Sequence, residues 1–168
     1  TRAASFVIIV GFGQTIVLLT GGIDLSVATI GSVCGMAGAI FMVNYGINPY
    51  LAIVIASLLG IVLGAVNGFF IAYFKMTPFI VTLATMQIYK GIVYVITKGM
   101  PITGMPESAE KLANGVIGGV LPNIVIIMVI ICVILTVILK RTKFGRYVYA
   151  LGGNRSCAEL VGHPTERI

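Results

Sequence analysis

Gly21-Gly22-Ile23-Asp24-Leu25-Ser26 joins two apolar segments without room for a loop, and no acid precedes Asp24 in the chain; the next is Glu107. Adjacent glycines reach backbone conformations that other residues resist, and they break a helix. Asp24 or Ser26 can then cap the following helix, satisfying N–H groups that lipid cannot. Two readings stand side by side: a broken helix lining a polar pathway, and a capped tight turn at the membrane interface. A carboxylate here also suits a coupling cation. Lys90 is the other ionisable group within an apolar segment, and a buried ammonium marks a functional site unless its stem snorkels. A structural or gating role for Lys90 is favoured over direct contact with cargo. Gln14, Asn67, Thr82, Thr85 and Gln87 can hydrogen-bond to a polar solute or, the more frequent use, between helices.

Other chemistries find no residues. No GxxxxGK[ST] occurs to cradle nucleotide phosphates. His163 is the lone histidine, and Cys34, Cys132 and Cys157 form neither a CxxC pair nor a disulfide framework. They read as small apolar residues, and a membrane-embedded enzyme has no catalytic group to nominate.

The elements that position Asp24 and Lys90 follow from composition. The chain is 58% hydrophobic and 10% charged with a mean hydropathy of +1.09, whereas a soluble domain carries about 25% charged residues. The solvent is therefore mostly lipid. A span needs roughly 20 apolar residues, and segments of about that length run over 3–20, 26–43, 50–74, 79–97 and 120–139. The expected fold is an all-α integral membrane protein, a polytopic helix bundle. Small residues recur four apart at Gly31, Gly35 and Ala39 and at Gly60, Gly64 and Gly68, ridges that let helices approach closely in lipid.

The net charge of +6 does not point to nucleic acid. Lys140, Arg141, Lys143, Arg146, Arg155 and Arg167 cluster after the last apolar segment, as the positive-inside rule requires of a cytoplasmic face. Counting back, 98–119 is external, 75–78 cytoplasmic, 44–49 external and 21–25 towards the cytoplasm. Without a crossing by 79–97, which carries Gln87 and Lys90, the topology before it inverts. In the basic tail, Asn154 or Ser156 can cap a short helix, Ser156 and Glu159 have capping-box spacing, and Gly162 with Pro164 ends it. Such a helix suits a docking knob for a partner or an interfacial helix on lipid head groups. Tyr45, Tyr50, Tyr73, Tyr94 and Tyr147 must supply any interfacial aromatic belt, because tryptophan is absent.

GGIDLSV at 21–27, GAVNG at 64–68, TPFIVTLATM at 77–86, RTKFGRYVYALGGN at 141–154 and AELVG at 158–162 together resemble the ribose-type permeases of ATP-binding-cassette (ABC) importers for monosaccharides and related solutes. The motifs keep the family's order along nearly the whole chain. The segment 109–123 departs from the pattern, as does His163, where the family places an aliphatic residue. The family's chains are longer, and this one starts without methionine, so further sequence is expected beyond both ends.

The resemblance implies a permease subunit in a bacterial inner membrane, crossing it several times and moving cargo by alternating access. ATP would be used by a separate ATPase, with no cofactor on this chain. The implied partners are that ATPase, a second permease copy and an extracytoplasmic solute-binding protein. The expected coupling segment to the ATPase lies within 140–168 and includes Gly145, Arg146, Gly152, Gly153, Asn154, Ala158, Glu159, Leu160 and Gly162. Candidates for the path are Gly21, Gly22, Asp24, Ser26, Asn67, Thr82 and Lys90. An ATP-independent secondary transporter or channel is the alternative.

Overall fold

A computed structural model describes residues 2–117 and 121–153, so Asn154, Ala158, Glu159, Leu160 and Gly162 lie outside the described residues. The elements run α1 (Arg2–Leu19), α2 (Val27–Val43), α3 (Pro49–Tyr73), α4 (Pro78–Thr97), α5 (Glu107–Asn114), a short hairpin of β1 (Val116–Ile117) and β2 (Leu121–Pro122), α6 (Asn123–Arg141) and α7 (Lys143–Gly153). Helices thus occupy the apolar segments expected to do so. Of these, α3, α4 and α6 are long and apolar enough to cross a membrane, while α1 and α2 are shorter apolar helices. At 1.5 Å per residue α3 spans about 37 Å, more than the roughly 30 Å hydrocarbon core. Lys90 falls in the middle of α4, which continues unbroken through it.

Helix boundaries follow from local chemistry. Pro49 and Pro78 stand in the first turns of α3 and α4, where a missing N–H costs nothing. The Asn48 side chain accepts from the Tyr50 N–H at 3.0 Å, and α4 ends at Lys98 and Gly99, both with left-handed φ (54° and 73°).

The chain divides into two compact units. The first holds α1, the hairpin, α6 and α7, with α1 packed on α6 and α7. Thr142 turns the chain between α6 and α7: its hydroxyl donates to the Ile138 carbonyl at 2.6 Å and accepts from the Gly145 N–H at 3.4 Å. Leu139 and Val148 are buried at this corner.

The second unit holds α2 to α5. Val33, Met36 and Tyr89 form its core, flanked by Leu59, Leu63 and Val93. The Tyr89 hydroxyl donates to the Leu63 carbonyl at 3.3 Å, tying α4 to α3. Outside that core the helices present large apolar side chains outward, among them Leu58, Ile61 and Val62 of α3. Such a surface needs lipid or further protein against it.

The small-residue ridges are only partly used. A Cβ on Gly60 would lie 3.1 Å from Cys34 Sγ and one on Gly38 3.5 Å from Ala56 Cβ, whereas Gly31, Gly35, Gly64 and Gly68 face open space. The α2–α3 contact therefore rotates onto Cys34 and Gly38, away from Gly31 and Gly35. Gly60→Leu is expected to wedge α2 from α3 and destabilise the unit by ~1–3 kcal/mol. Cys34→Ala in the same chain should recover part of that loss, and thermal unfolding of both single variants and the double variant measures the coupling.

Candidate translocation site

The end of α1 is set by its glycines. Gly21 takes a φ of +81°, its N–H donates to the Leu18 carbonyl at 3.0 Å, and the Gly22 N–H donates to the Val17 carbonyl at 3.1 Å. That pair of bonds is a Schellman closure, with glycine where a side chain would be strained. Gly21 and Gly22 thus terminate the helix, satisfying carbonyls that lipid would leave unpaired.

Ser26, one of the two caps the sequence suggests, does not cap α2 with its side chain. Ser26 occupies the capping position in helical conformation without a side-chain bond to the helix N–H groups. Instead, Asp24 Oδ1 accepts from the Ser26 N–H at 2.8 Å and from the Ser26 hydroxyl at 2.6 Å. Ser26 is fully buried; its hydroxyl hydrogen goes to Asp24, and with its backbone already helical its Oγ does not meet the first-turn N–H groups. Asn67, on α3, then donates from Nδ2 to Ser26 Oγ at 2.8 Å.

Asn67 is 4% exposed, and the direction of the chain of bonds orients its amide. Ser26 Oγ spends its hydrogen on Asp24, so it can only accept from Asn67. Asn67 Oδ1 is left buried without a hydrogen bond. Three sequence candidates are thereby brought together in a knot linking the start of α2 to α3. Thr82 is buried on α4 and gives its hydroxyl hydrogen to the Pro78 carbonyl at 2.8 Å, the back-bond of a serine or threonine in an apolar helix.

Lys90 stands apart from that knot. It is exposed and lines an open cleft of about 610 Å³. One wall is the face Thr29, Ser32, Met36 of α2, the other Lys90, Tyr94, Thr97 of α4, and the turn after α4 forms the rim. Thr29, Ser32 and Thr97 did not stand out in the sequence. The signal was present, because 29, 32 and 36 share one helical face, as do 90, 94 and 97, but nothing in the sequence pairs the two faces.

On α7, Gly145 and Gly152 are packing points. A Cβ on Gly145 would collide with the backbone of Leu139, and one on Gly152 with the Leu19 carbonyl. Arg146 and Gly153 are exposed.

The fold and these groups define a multi-pass helical membrane protein whose buried polar side chains gather between helices. The chain belongs to the family described as branched-chain amino acid transport system / permease component, whose family model matches residues 1–168. It is 41% identical over 99% of its length to the ribose import permease of Haemophilus influenzae and 42% over 95% to that of Bacillus subtilis. It is also 36% identical over 97% of its length to the fructose import permease of Bifidobacterium longum. These matches cover 52%, 50% and 50% of the relatives, so the chain spans about half their length. No solved structure matches it.

Proposed function

We propose that this chain is part of the permease subunit of a bacterial ABC importer for a monosaccharide or related solute. The observation that carries the reading is the 41% identity to a ribose import permease across nearly the whole chain. The subunit sits in the inner membrane and pairs with a second permease copy. It receives cargo from an extracytoplasmic binding protein and alternates access as a separate ATPase turns over ATP, with no cofactor of its own. Asp24, Ser26 and Asn67 hold α2 to α3 as these helices move, and Gly21 and Gly22 end α1 before them. The basic stretch from Lys140 through α7 faces the cytoplasm, and the segment that follows, with Ala158 and Gly162, docks on the ATPase.

The ion-driven alternative needs Asp24 for its cation, but Oδ1 of that carboxylate already holds two hydrogen bonds from Ser26.

Bulky replacement of Ala158 or Gly162 in the full-length permease should leave membrane insertion intact. The same change should reduce transport-coupled ATP turnover by about tenfold or more, the scale of losing one packed contact at an interface hot spot. Affinity purification of the native complex should bring down an ATPase. Unchanged coupled turnover removes the docking assignment, and a complex without any ATPase removes the importer reading.

A further inference from the structure

We infer that the cleft between α2 and α4 is a contact site for a neutral polyhydroxylated solute. The inference rests on the transport reading above and goes further by naming where the solute sits and which atoms meet it. The cleft's volume of about 610 Å³ falls within the roughly 300–1,000 Å³ of small-molecule sites.

Three of its four hydroxyls are prepared in one sense, while that of Tyr94 can donate or accept. Thr29 Oγ1 donates to the Ser26 carbonyl at 2.8 Å, Ser32 Oγ to the Ala28 carbonyl at 3.0 Å and Thr97 Oγ1 to the Val93 carbonyl at 2.8 Å. Each has spent its single hydrogen on its own helix, so towards the cleft each oxygen can only accept, Thr97 Oγ1 with the one lone pair left beside the Gly99 N–H at 3.2 Å. Lys90 is the one charged side chain in the lining, and an ammonium can only donate. The complement is a ligand with several O–H donors and at least one oxygen acceptor, which is the pattern of a polyol. A lipid tail offers neither, and an anion would meet three acceptors against one cation and one phenol. Met36 and Tyr94 add apolar surface for a C–H face.

Gly35 leaves the room. It lines the cleft on α2, and a Cβ there would meet nothing within 4 Å. Its place in the small-residue ridge thus serves the cleft rather than helix packing, and Lys90 moves from a gating role to direct contact.

The test uses the full-length permease with its ATPase and binding protein in membrane vesicles, on a background without native cysteines. Thr29→Cys, Ser32→Cys and Thr97→Cys are labelled with a membrane-impermeant maleimide, with and without ribose, allose, fructose or the anionic gluconate. Uptake of the same solutes is measured in parallel. Labelling from water, slowed at least fivefold by a neutral sugar that the vesicles take up, is expected. Gly35→Leu should abolish that protection while the purified complex keeps its thermal midpoint, and Lys90→Met should raise the half-protecting sugar concentration at least tenfold, with Lys90→Arg recovering part.

Three outcomes overturn the site while leaving the transport reading intact: uptake of a sugar without protection, cysteines unreachable from water because lipid or another part of the protein covers them, or protection by gluconate alone. Absence of uptake for every solute overturns both.

Discussion

Replacing Gly145 by valine is expected to unseat α7 from α6 and to be the most damaging single change in the described chain. A Cβ at this position would overlap the Cα, carbonyl carbon and carbonyl oxygen of Leu139. Side chains can rotate away from an intruder, but a helix backbone cannot. Ordinary overpacking costs ~1–3 kcal/mol, and a collision with backbone should exceed that range. Thr142 magnifies the effect, because it closes the end of α6 and starts α7 with the same hydroxyl, so opening the corner exposes both helix ends.

Gly152→Ala should show the same defect at smaller scale, through the Leu19 carbonyl. Gly153 is the control: its Cβ would meet nothing, and alanine gains up to about 1 kcal/mol of helix propensity. Thermal unfolding of the purified protein in detergent orders the three. A Gly145→Val protein with the native midpoint would show that the corner is not closed as described.

The second large effect is at Asn67. Asn67→Asp puts a second carboxylate against Ser26 Oγ, whose hydrogen already goes to Asp24. Ionised, the new group is an uncompensated charge inside an apolar bundle facing a like charge, and the expected cost is on the order of 3 kcal/mol. Protonated, it can donate to Ser26 Oγ much as the amide does. The cost therefore belongs to the ionised form and falls away when the carboxyl is protonated. The defect relative to the native protein should shrink in mildly acidic solution.

Asn67→Leu lacks this pH dependence and forfeits one buried hydrogen bond, about 1 kcal/mol. Thermal midpoints of both variants across pH separate the cases. Equal, pH-independent losses would mean that Asn67 does not face Ser26. Asp24→Asn keeps an oxygen for both Ser26 donors, so it should assemble. Uptake lost without loss of assembly would then place Asp24 in the pathway.

How far the sequence exposed this arrangement depended on the range of each interaction. The helices and the Gly21-Gly22 break were legible because they are local: apolar runs, Pro49 and Pro78 at helix starts, adjacent glycines at a helix end. Asp24 and Ser26 were legible as polar oddities, but their role was not, since capping and a mutual bond look alike until burial decides. The Asn67 partner lies on another helix, and no periodicity reveals it. The glycine ridges say less: spacing shows which residues share a face, not which face a neighbour takes, and α3 meets α2 at Cys34 and Gly38. The cleft hydroxylic residues were invisible for the same reason, as serine and threonine in apolar helices are ordinary until two faces meet.

The role proposed for this chain is that of a sugar permease driven by a separate ATPase. The most direct measurement is uptake of labelled ribose, allose and fructose into proteoliposomes holding the full-length permease, its ATPase and its binding protein, with and without ATP and with and without imposed ion gradients. The expected result is uptake of a sugar that needs ATP and the binding protein, stops when the ATPase is inactivated, and ignores the gradients. Uptake that persists without ATP and follows a sodium or proton gradient would contradict it.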